Sequence, residues 1–324
     1  MKAIVVTAFG GSEHMHYTEM EIPAIAPTQV LIRVEATSVN FADIKTRYGK
    51  KGAGPLPYIP GLDAAGVIVQ VGEQVKGLRV GQRVAAFPVG GSYAEYAAAE
   101  EVLTFALPDG IDFETAAACP TVSFTAYKLL ADVGRLQGGE TVLIHAAAGG
   151  VGTTAIQLAK RLGAGKVIGT VGSQSKAAAA IEAGADHVIC YEDGQFSEQV
   201  NELTGGRGAD VILDSISGWV SEQSMLCLAP YGRLVHFGNA GGRAGTILTQ
   251  DLHASCRSVL GFSLGTTRSQ RPQLLQETAE KVFGFLQEGS LKMQIGGRFA
   301  LKDAAQAHDW VESRQSTGKT LLVP

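Results

Sequence analysis

The stretch Thr141-Val-Leu-Ile-His-Ala-Ala-Ala-Gly149-Gly150-Val-Gly152, running on into Thr153-Thr-Ala-Ile-Gln-Leu-Ala-Lys-Arg-Leu-Gly163, decides the fold. An apolar run ends in small residues, turns on glycines and opens a segment with apolar residues at helical spacing. Open α/β sheets hold a pyrophosphate in this way. Glycine lets the backbone approach the phosphates, and the helix N-terminus presents unpaired N–H groups and a positive dipole end. The turn Ala147-Ala148-Gly149-Gly150-Val151-Gly152 follows the pattern Gly-x-Gly-x-x-Gly, with Ala147 in the first glycine's place. Its position after a strand and before a helix gives the motif its weight. Ala148, Gly149, Gly150 and Val151 are therefore candidate dinucleotide contacts.

The following segments specify the dinucleotide. NAD enzymes place Asp or Glu at the end of the next strand, for the ribose 2′-hydroxyl. This chain reads Gly169-Thr-Val-Gly172-Ser173-Gln-Ser-Lys176, without an acid. A hydroxyl at Ser173 and an ammonium at Lys176 would receive a 2′-phosphate that a carboxylate would repel, so the expected cofactor is NADPH. A strand over 211–215 ends at Ser215, a further candidate contact. The fifth strand runs out into Phe237-Gly238-Asn239-Ala240-Gly241-Gly242, whose small residues leave room for a flat nicotinamide. The sixth ends in Phe262-Ser263-Leu264, whose backbone groups could pair with the carboxamide.

Outward from this core, strands expected at 141–147, 166–171, 187–191, 211–215, 233–238 and 258–264 alternate with helices at 152–162, 175–182, 196–203 and 220–228. That alternation indicates a parallel, doubly wound sheet. The first third reads differently. Candidate strands at 3–7, 29–39, 64–71, 83–87 and 93–98 are separated by glycine and proline turns, as in a compact barrel-like β domain. Helices are expected from Asp112, with an acidic first turn, and over 124–131. The tail offers helices at 273–288 and 301–313 and a closing strand at 319–324. Lacking a core of its own, the tail is expected to pack back onto the first domain.

The bulk composition agrees. A chain of 324 residues, 45% hydrophobic and 18% charged, suits two domains with sizeable cores. Its net charge of −4 comes without a basic stripe, which argues against nucleic acid as a partner. No apolar run is long enough to span a bilayer, and the start Met1-Lys-Ala-Ile-Val-Val reads as a strand rather than a signal peptide. Cys119, Cys190, Cys227 and Cys256 form no Cys-x-x-Cys pair and read as buried thiols of a reducing compartment. A cytoplasmic protein is expected.

The motifs together resemble the zinc-independent quinone oxidoreductases (zeta-crystallin-like) of the medium-chain dehydrogenase/reductase superfamily. Ser38-Val-Asn40-Phe-Ala-Asp43, Pro60-Gly-Leu-Asp63-Ala-Ala-Gly66, Val80-Gly-Gln-Arg-Val84, Thr125-Ala-Tyr127, His145 to Gly152, Phe237-Gly-Asn239 and Gly318-Lys-Thr-Leu-Leu-Val-Pro324 carry the likeness along nearly the full chain. The resemblance implies an α/β architecture: a GroES-like β-rich catalytic domain built from 1–122 and 267–324, and a Rossmann domain over 123–266. It also implies a homodimer joined through the edge strands of the Rossmann sheets. Residues aligned with Asn40 and Thr125 lie near the nicotinamide in such enzymes, those aligned with Ser173, Lys176 and Tyr191 hold the 2′-phosphoribose, and Lys319 lies near the cofactor. Zinc alcohol dehydrogenases of the superfamily carry a cysteine at the position of Asn40 and Gly-His-Glu where this chain has Gly61-Leu62-Asp63. The four close-spaced cysteines of their structural zinc site are absent here, so no metal is expected. Several quinone reductases carry tyrosines after the Asn-Phe motif; Lys45 and Lys51 stand in those places, with Tyr48 nearby.

The expected reaction is hydride delivery to a quinone or other conjugated carbonyl, in a dry slot between the domains. Asn40 and Tyr48 are the candidate catalytic groups, as donors to the carbonyl oxygen, with a final proton from Tyr48, Lys51 or water. His145 reads as a satisfied core histidine. Two alternatives remain: reduction of an enoyl thioester or alkenal on the same fold, and a non-catalytic dinucleotide-binding redox sensor.

Overall fold

A computed structural model describes residues 1–50, 54–191 and 194–324. It divides into two compact units, Met1–Phe124 with Thr267–Pro324, and Thr125–Thr266.

The first unit is built around a long strand, Gln29–Val39, almost continuously buried because it is covered on both faces. Along one edge it pairs antiparallel with Asp63–Val71, which pairs on with Arg83–Ala86 and then Thr104–Ala106. The N-terminal half of the long strand also pairs with Tyr96–Glu100, and its C-terminal half takes the tail strand Lys319–Val323, beside which Ile295–Ala300 lies parallel. The tail therefore does pack back onto this unit, through Thr320 opposite Val39 and Leu321 opposite Ser38. Val30, Ile32, Ile68, Val84, Ala86 and Ala99 form one apolar cluster in this unit.

The sequence missed several elements here. Met15–Glu19 pairs with Lys2–Val6 although four of its five side chains are exposed, so it shows no alternation. Ile295–Ala300 contains two glycines, and Thr104–Ala106 is three residues long. The strand expected at 93–98 lies at Tyr96–Glu100. The helix Phe41–Arg47 also went unread. Asp112 does cap Phe113–Ala118, its carboxylate accepting from the Thr115 N–H at 2.8 Å. The helix expected over 124–131 begins earlier, at Pro120, and continues to Val133. A proline suits a first turn because its missing N–H would have no partner there.

In the second unit, six parallel strands stand in the order His187–Cys190, Lys166–Val171, Thr141–Ile144, Ala209–Asp214, Leu228–His236, Ser258–Gly261. By order of appearance this is 3-2-1-4-5-6, the doubly wound arrangement that places a ligand crevice where the order reverses, beside the first strand. Ala209–Asp214 is buried throughout, as central parallel strands are. Leu143, Ile168, Ile212 and Leu234 share one apolar cluster with Phe196 and Val220. The strand expected over 258–264 stops at Gly261, and Leu264 instead opens a helix to Gln270.

Among the described residues, no helix is long and apolar enough to cross a membrane. Cys119 and Cys227 are buried, but Cys190 is half-buried and Cys256 exposed, which corrects the expectation of uniformly buried thiols.

Candidate functional site

In the second unit the glycine turn leaves the first strand and enters the helix Gly150–Arg161. Ala146 adopts a left-handed φ of 52°, a conformation that costs a non-glycine residue of order 1 kcal/mol or more. The turn is held open by bonds from the Ala147 N–H to the Thr170 carbonyl (2.9 Å) and from the Gly149 N–H to the Ala146 carbonyl (3.0 Å). Gly152 has no room for a side chain: a Cβ would stand 2.4 Å from the Ala146 carbonyl oxygen. The helix therefore starts hard against the turn. The N–H groups of its first residues, Gly150, Val151 and Gly152, have no intrahelical acceptor, and the dipole adds a partial positive charge.

Val171 pairs with Cys190 in the sheet, so Gly172-Ser173 and Tyr191 leave neighbouring strands side by side. A Cβ on Gly172 would lie 4.0 Å from the Tyr191 ring. Ser173 precedes a short turn, Gln174–Lys176, and its hydroxyl shares a hydrogen bond of 3.0 Å with Ser175. The structure thus gathers Ser173, Lys176 and Tyr191 at one end of the sheet. The Tyr191 ring packs edge-on against Trp219, 5.7 Å between centroids.

Farther along the same end, Asp214 is buried. Its Oδ1 accepts from the N–H groups of Ile216 (2.7 Å) and Ser217 (3.0 Å), and its Oδ2 from the Ser221 hydroxyl. This fixes the loop that begins at Ser215. Gly238 lies against that loop, where a Cβ would come within 2.9 Å of the Ser215 carbonyl oxygen. Phe237 is tied by its N–H to the Asp214 carbonyl, and Phe262 by its N–H to that of His236. Ser215, Phe237, Gly238, Asn239, Phe262, Ser263 and Leu264 thus follow the fourth, fifth and sixth strands at their carboxyl ends. Thr125 is buried at the start of this unit.

His145 lies just beyond the first strand. Its Nδ1 meets the Thr170 hydroxyl at 2.8 Å and its Nε2 the Ser224 hydroxyl at 2.9 Å. Burial pushes the imidazole down to about 4, partly opposed by Asp214, so it is neutral at pH 7. It is a satisfied core residue.

Asn40, Tyr48 and Lys319 belong to the first unit. Asn40 caps the helix Phe41–Arg47, its N–H donating to Asp43 Oδ2 at 2.9 Å. Because Thr320 pairs with Val39, the tail delivers Lys319 beside Asn40. The Lys319 ammonium, 3% exposed, donates to Asn40 Oδ1 (2.7 Å) and to the Val39 carbonyl (3.1 Å), and lies 3.6 Å from Asp63 Oδ2. Burial lowers its pKa, while Asp63 and Asp43 pull the other way. Asp63, fully buried, also accepts from Ser38 Oγ (3.0 Å), Asn40 Nδ2 (2.8 Å) and the N–H and hydroxyl of Thr121 (2.9 and 2.7 Å). The amide of Asn40 has one orientation: its oxygen must face the ammonium and its nitrogen the carboxylate.

Sequence reasoning missed the neighbouring chain of polar groups. Asp43 Oδ2 accepts from the Tyr93 hydroxyl (3.1 Å), Tyr93 meets His308 Nε2 (3.1 Å), and His308 Nδ1 faces Arg47 Nη1 (3.2 Å). A guanidinium only donates, so Nδ1 accepts and Nε2 carries the hydrogen. Burial and Arg47 push His308 down to about 3. Burial, with Asp63 behind it, raises Asp43 to about 7, although the Asn40 N–H favours its charged form. Arg47 continues to Glu312 at 2.6 Å, and Tyr48 donates to the other Glu312 oxygen at 2.6 Å. That bond holds the Tyr48 proton more firmly than in a free phenol. Tyr48 and Glu312 line an open hollow of about 370 Å³ with Ser12, Glu13 and Asp309. The Lys45 amine stands over the Phe41 ring; Lys51 lies outside the described residues.

A β-rich unit closed by the chain's own tail, together in one chain with a 3-2-1-4-5-6 parallel sheet that carries a glycine turn, defines a two-domain oxidoreductase of the medium-chain dehydrogenase/reductase type. Two family descriptions match: alcohol dehydrogenase GroES-like domain over residues 26–109 and zinc-binding dehydrogenase over 150–280. The chain is 40% identical to a quinone oxidoreductase of Pseudomonas aeruginosa, an alignment spanning 100% of this chain and 99% of that one. Its structure superposes with a TM-score of 0.93 on a Pseudomonas syringae quinone oxidoreductase (37% identity; 100% and 99% covered). The same score holds for the Escherichia coli quinone oxidoreductase solved in complex with NADPH (34% identity; both chains fully covered). The chain belongs to the quinone oxidoreductase family of this superfamily.

Proposed function

We propose that this chain reduces quinones with NADPH and uses no metal. The observation that carries the reading is the full-length likeness to quinone oxidoreductases, one of them solved with NADPH. The second unit's residues fit that cofactor. The glycine turn, where a Cβ on Gly152 would collide with backbone, leaves space and N–H groups for the pyrophosphate. Ser173, Lys176 and Tyr191 stand where a 2′-phosphoribose would lie, with no carboxylate among residues 169–176 to repel it. Phe237, Gly238, Asn239 and the segment Phe262-Ser263-Leu264 flank the nicotinamide end, with Ser215 behind them and Thr125 as a further contact. A homodimer through the Rossmann unit belongs to the same proposal.

When bound, NADPH supplies a hydride. What this chain adds is orientation and charge. Asn40 is held by Lys319 and Asp63, so that one Nδ2 hydrogen, with only a 3.5 Å contact to the Ser38 carbonyl, remains to donate to an acceptor oxygen. Lys319 acts through Asn40 rather than directly. Tyr48 donates its hydroxyl hydrogen to Glu312, which supports water over Tyr48 as the source of the final proton.

Zinc does not fit the same place. Asn40 and Asp63 are engaged with each other and with the Lys319 ammonium, which already fills the position of a cation. No group of three His, Cys, Asp or Glu suited to a metal occurs among the described residues.

The test compares oxidants: NADPH oxidation with 1,4-benzoquinone, a 2-alkenal and an enoyl-CoA. The quinone should be turned over fastest. A faster alkenal or enoyl thioester would move the activity to that class, and NADPH binding without turnover of any of them would favour a sensor.

A further inference from the structure

Arg268, on the helix Leu264–Gln270, is a cation without a counter-ion among the described residues. Its guanidinium carbon lies 5.0 Å from the centroid of the Phe87 ring, a buried residue. No hydrogen bond or ion pair joins it to any other described residue. Phe87 continues the strand Arg83–Ala86, whose Ala86 pairs with Ala64, so Phe87 adjoins Asp63 at the same end of the sheet as Asn40. Asp63 and Asp43 are the charges that reach Arg268 through the protein, yet neither contacts it. Asp63 already accepts four hydrogen bonds and faces Lys319, and Asp43 is bonded to the Asn40 N–H and Tyr93. A half-buried guanidinium placed over an aromatic ring, with its N–H fork unassigned among the described residues, suits a planar acceptor bearing an anionic oxygen. Retaining such a charge without a partner is costly, which is reasonable where a ligand completes the pair.

We propose that Arg268 is a catalytic residue that binds the acceptor's carbonyl oxygen and stabilises the negative charge that develops there. The inference rests on the quinone reductase reading. In that reaction a quinone takes a hydride, two electrons and one hydrogen, from NADPH, which leaves as NADP⁺. The hydroquinone monoanion so formed takes a proton from water to give the hydroquinone. Arg268 faces the oxygen during the first step and gives up no proton. Its planar fork distinguishes oxygen anions from neutral carbonyls, so the site favours acceptors whose reduced form is a delocalised oxyanion.

The test uses the full-length protein with Arg268→Met and Arg268→Lys. Turnover of 1,4-naphthoquinone should fall about a hundredfold in the methionine variant, the loss typical of removing an oxyanion donor, with partial recovery in the lysine variant. Binding gives a second readout. 2-Hydroxy-1,4-naphthoquinone, an enolate at neutral pH, should lose about tenfold or more in affinity on Arg268→Met, as expected for a hydrogen bond to a charged group, while NADPH affinity stays unchanged. Should the methionine variant not fold, the lysine variant alone must show the intermediate turnover and a weakened enolate. Wild-type protein that reduces no quinone would remove the reaction on which the inference rests. Active wild type with an unaltered variant would overturn the role of Arg268 alone. So would equal losses for enolate and NADPH, which would place Arg268 on the cofactor.

Discussion

Replacing Lys319 with Met keeps much of the side-chain volume and removes the ammonium. Asp63, fully buried, would then lack its only cation within 4 Å among the described residues. Breaking one side of a buried ion pair costs roughly 3–5 kcal/mol, because the remaining charge stays desolvated. Four hydrogen bonds from Ser38, Asn40 and Thr121 still hold the carboxylate, so the loss should fall near the lower end, about 3 kcal/mol. The chain has two tryptophans, Trp219 in the second unit and Trp310 in the first. In a Trp219→Phe background, Trp310 fluorescence during urea unfolding reports the first unit alone. Asp63→Asn added to Lys319→Met should recover most of the loss, since an amide needs no cation. A cost below about 1 kcal/mol for Lys319→Met, the value of an exposed pair, would refute the buried-pair reasoning. So would a double variant no more stable than the single.

Other consequences are equally direct. Lys176→Ala should weaken NADPH about tenfold or more, in line with a lost charged hydrogen bond, and NADH little; equal losses in fluorescence titrations would remove the 2′-phosphate role. Gly152→Ala should abolish dinucleotide binding and lower the melting temperature, because the new methyl meets backbone at 2.4 Å; normal binding would contradict that packing. Asp43, raised to about 7, keeps in the folded state a proton that the unfolded chain releases near 4, so its stabilising contribution is present below that pH and is lost as the pH climbs through 7. Asp43→Asn should flatten that part of the first unit's stability profile, read by Trp310 fluorescence. His145, lowered to about 4, has the opposite sign: its contribution holds above pH 6.5 and is lost as the pH falls towards 4. His145→Gln should make the second unit, followed through Trp219, less acid-sensitive over that interval.

The parts of this protein legible in sequence are those written in one continuous segment. The glycine turn, its helix and the alternation that follows are local, and Phe196–Leu203 forms at the boundaries its pattern indicates. The first unit is harder to read, because its sheet joins residues far apart. Val39 meets Thr320, and strands as short as Thr104–Ala106 or as exposed as Met15–Glu19 carry no period of their own. The candidate site divides the same way. Ser173 and Lys176 sit beside each other in sequence. The Asn40–Asp63–Lys319 cluster and the chain from Asp43 through Tyr93 and His308 to Arg47 and Glu312 draw on four distant segments. Nothing in a string of letters marks His308 as part of that chain, or Arg268 as standing over the Phe87 ring. Asn40 could be singled out from its motif, but its fixed orientation follows only from which partners donate and which accept.

The most direct measurement is turnover by protein stripped with a chelator and shown by elemental analysis to hold no zinc. NADPH and 1,4-benzoquinone should be consumed one for one at the rate of the untreated enzyme. Activity that vanishes on stripping and returns only with added zinc would contradict the account.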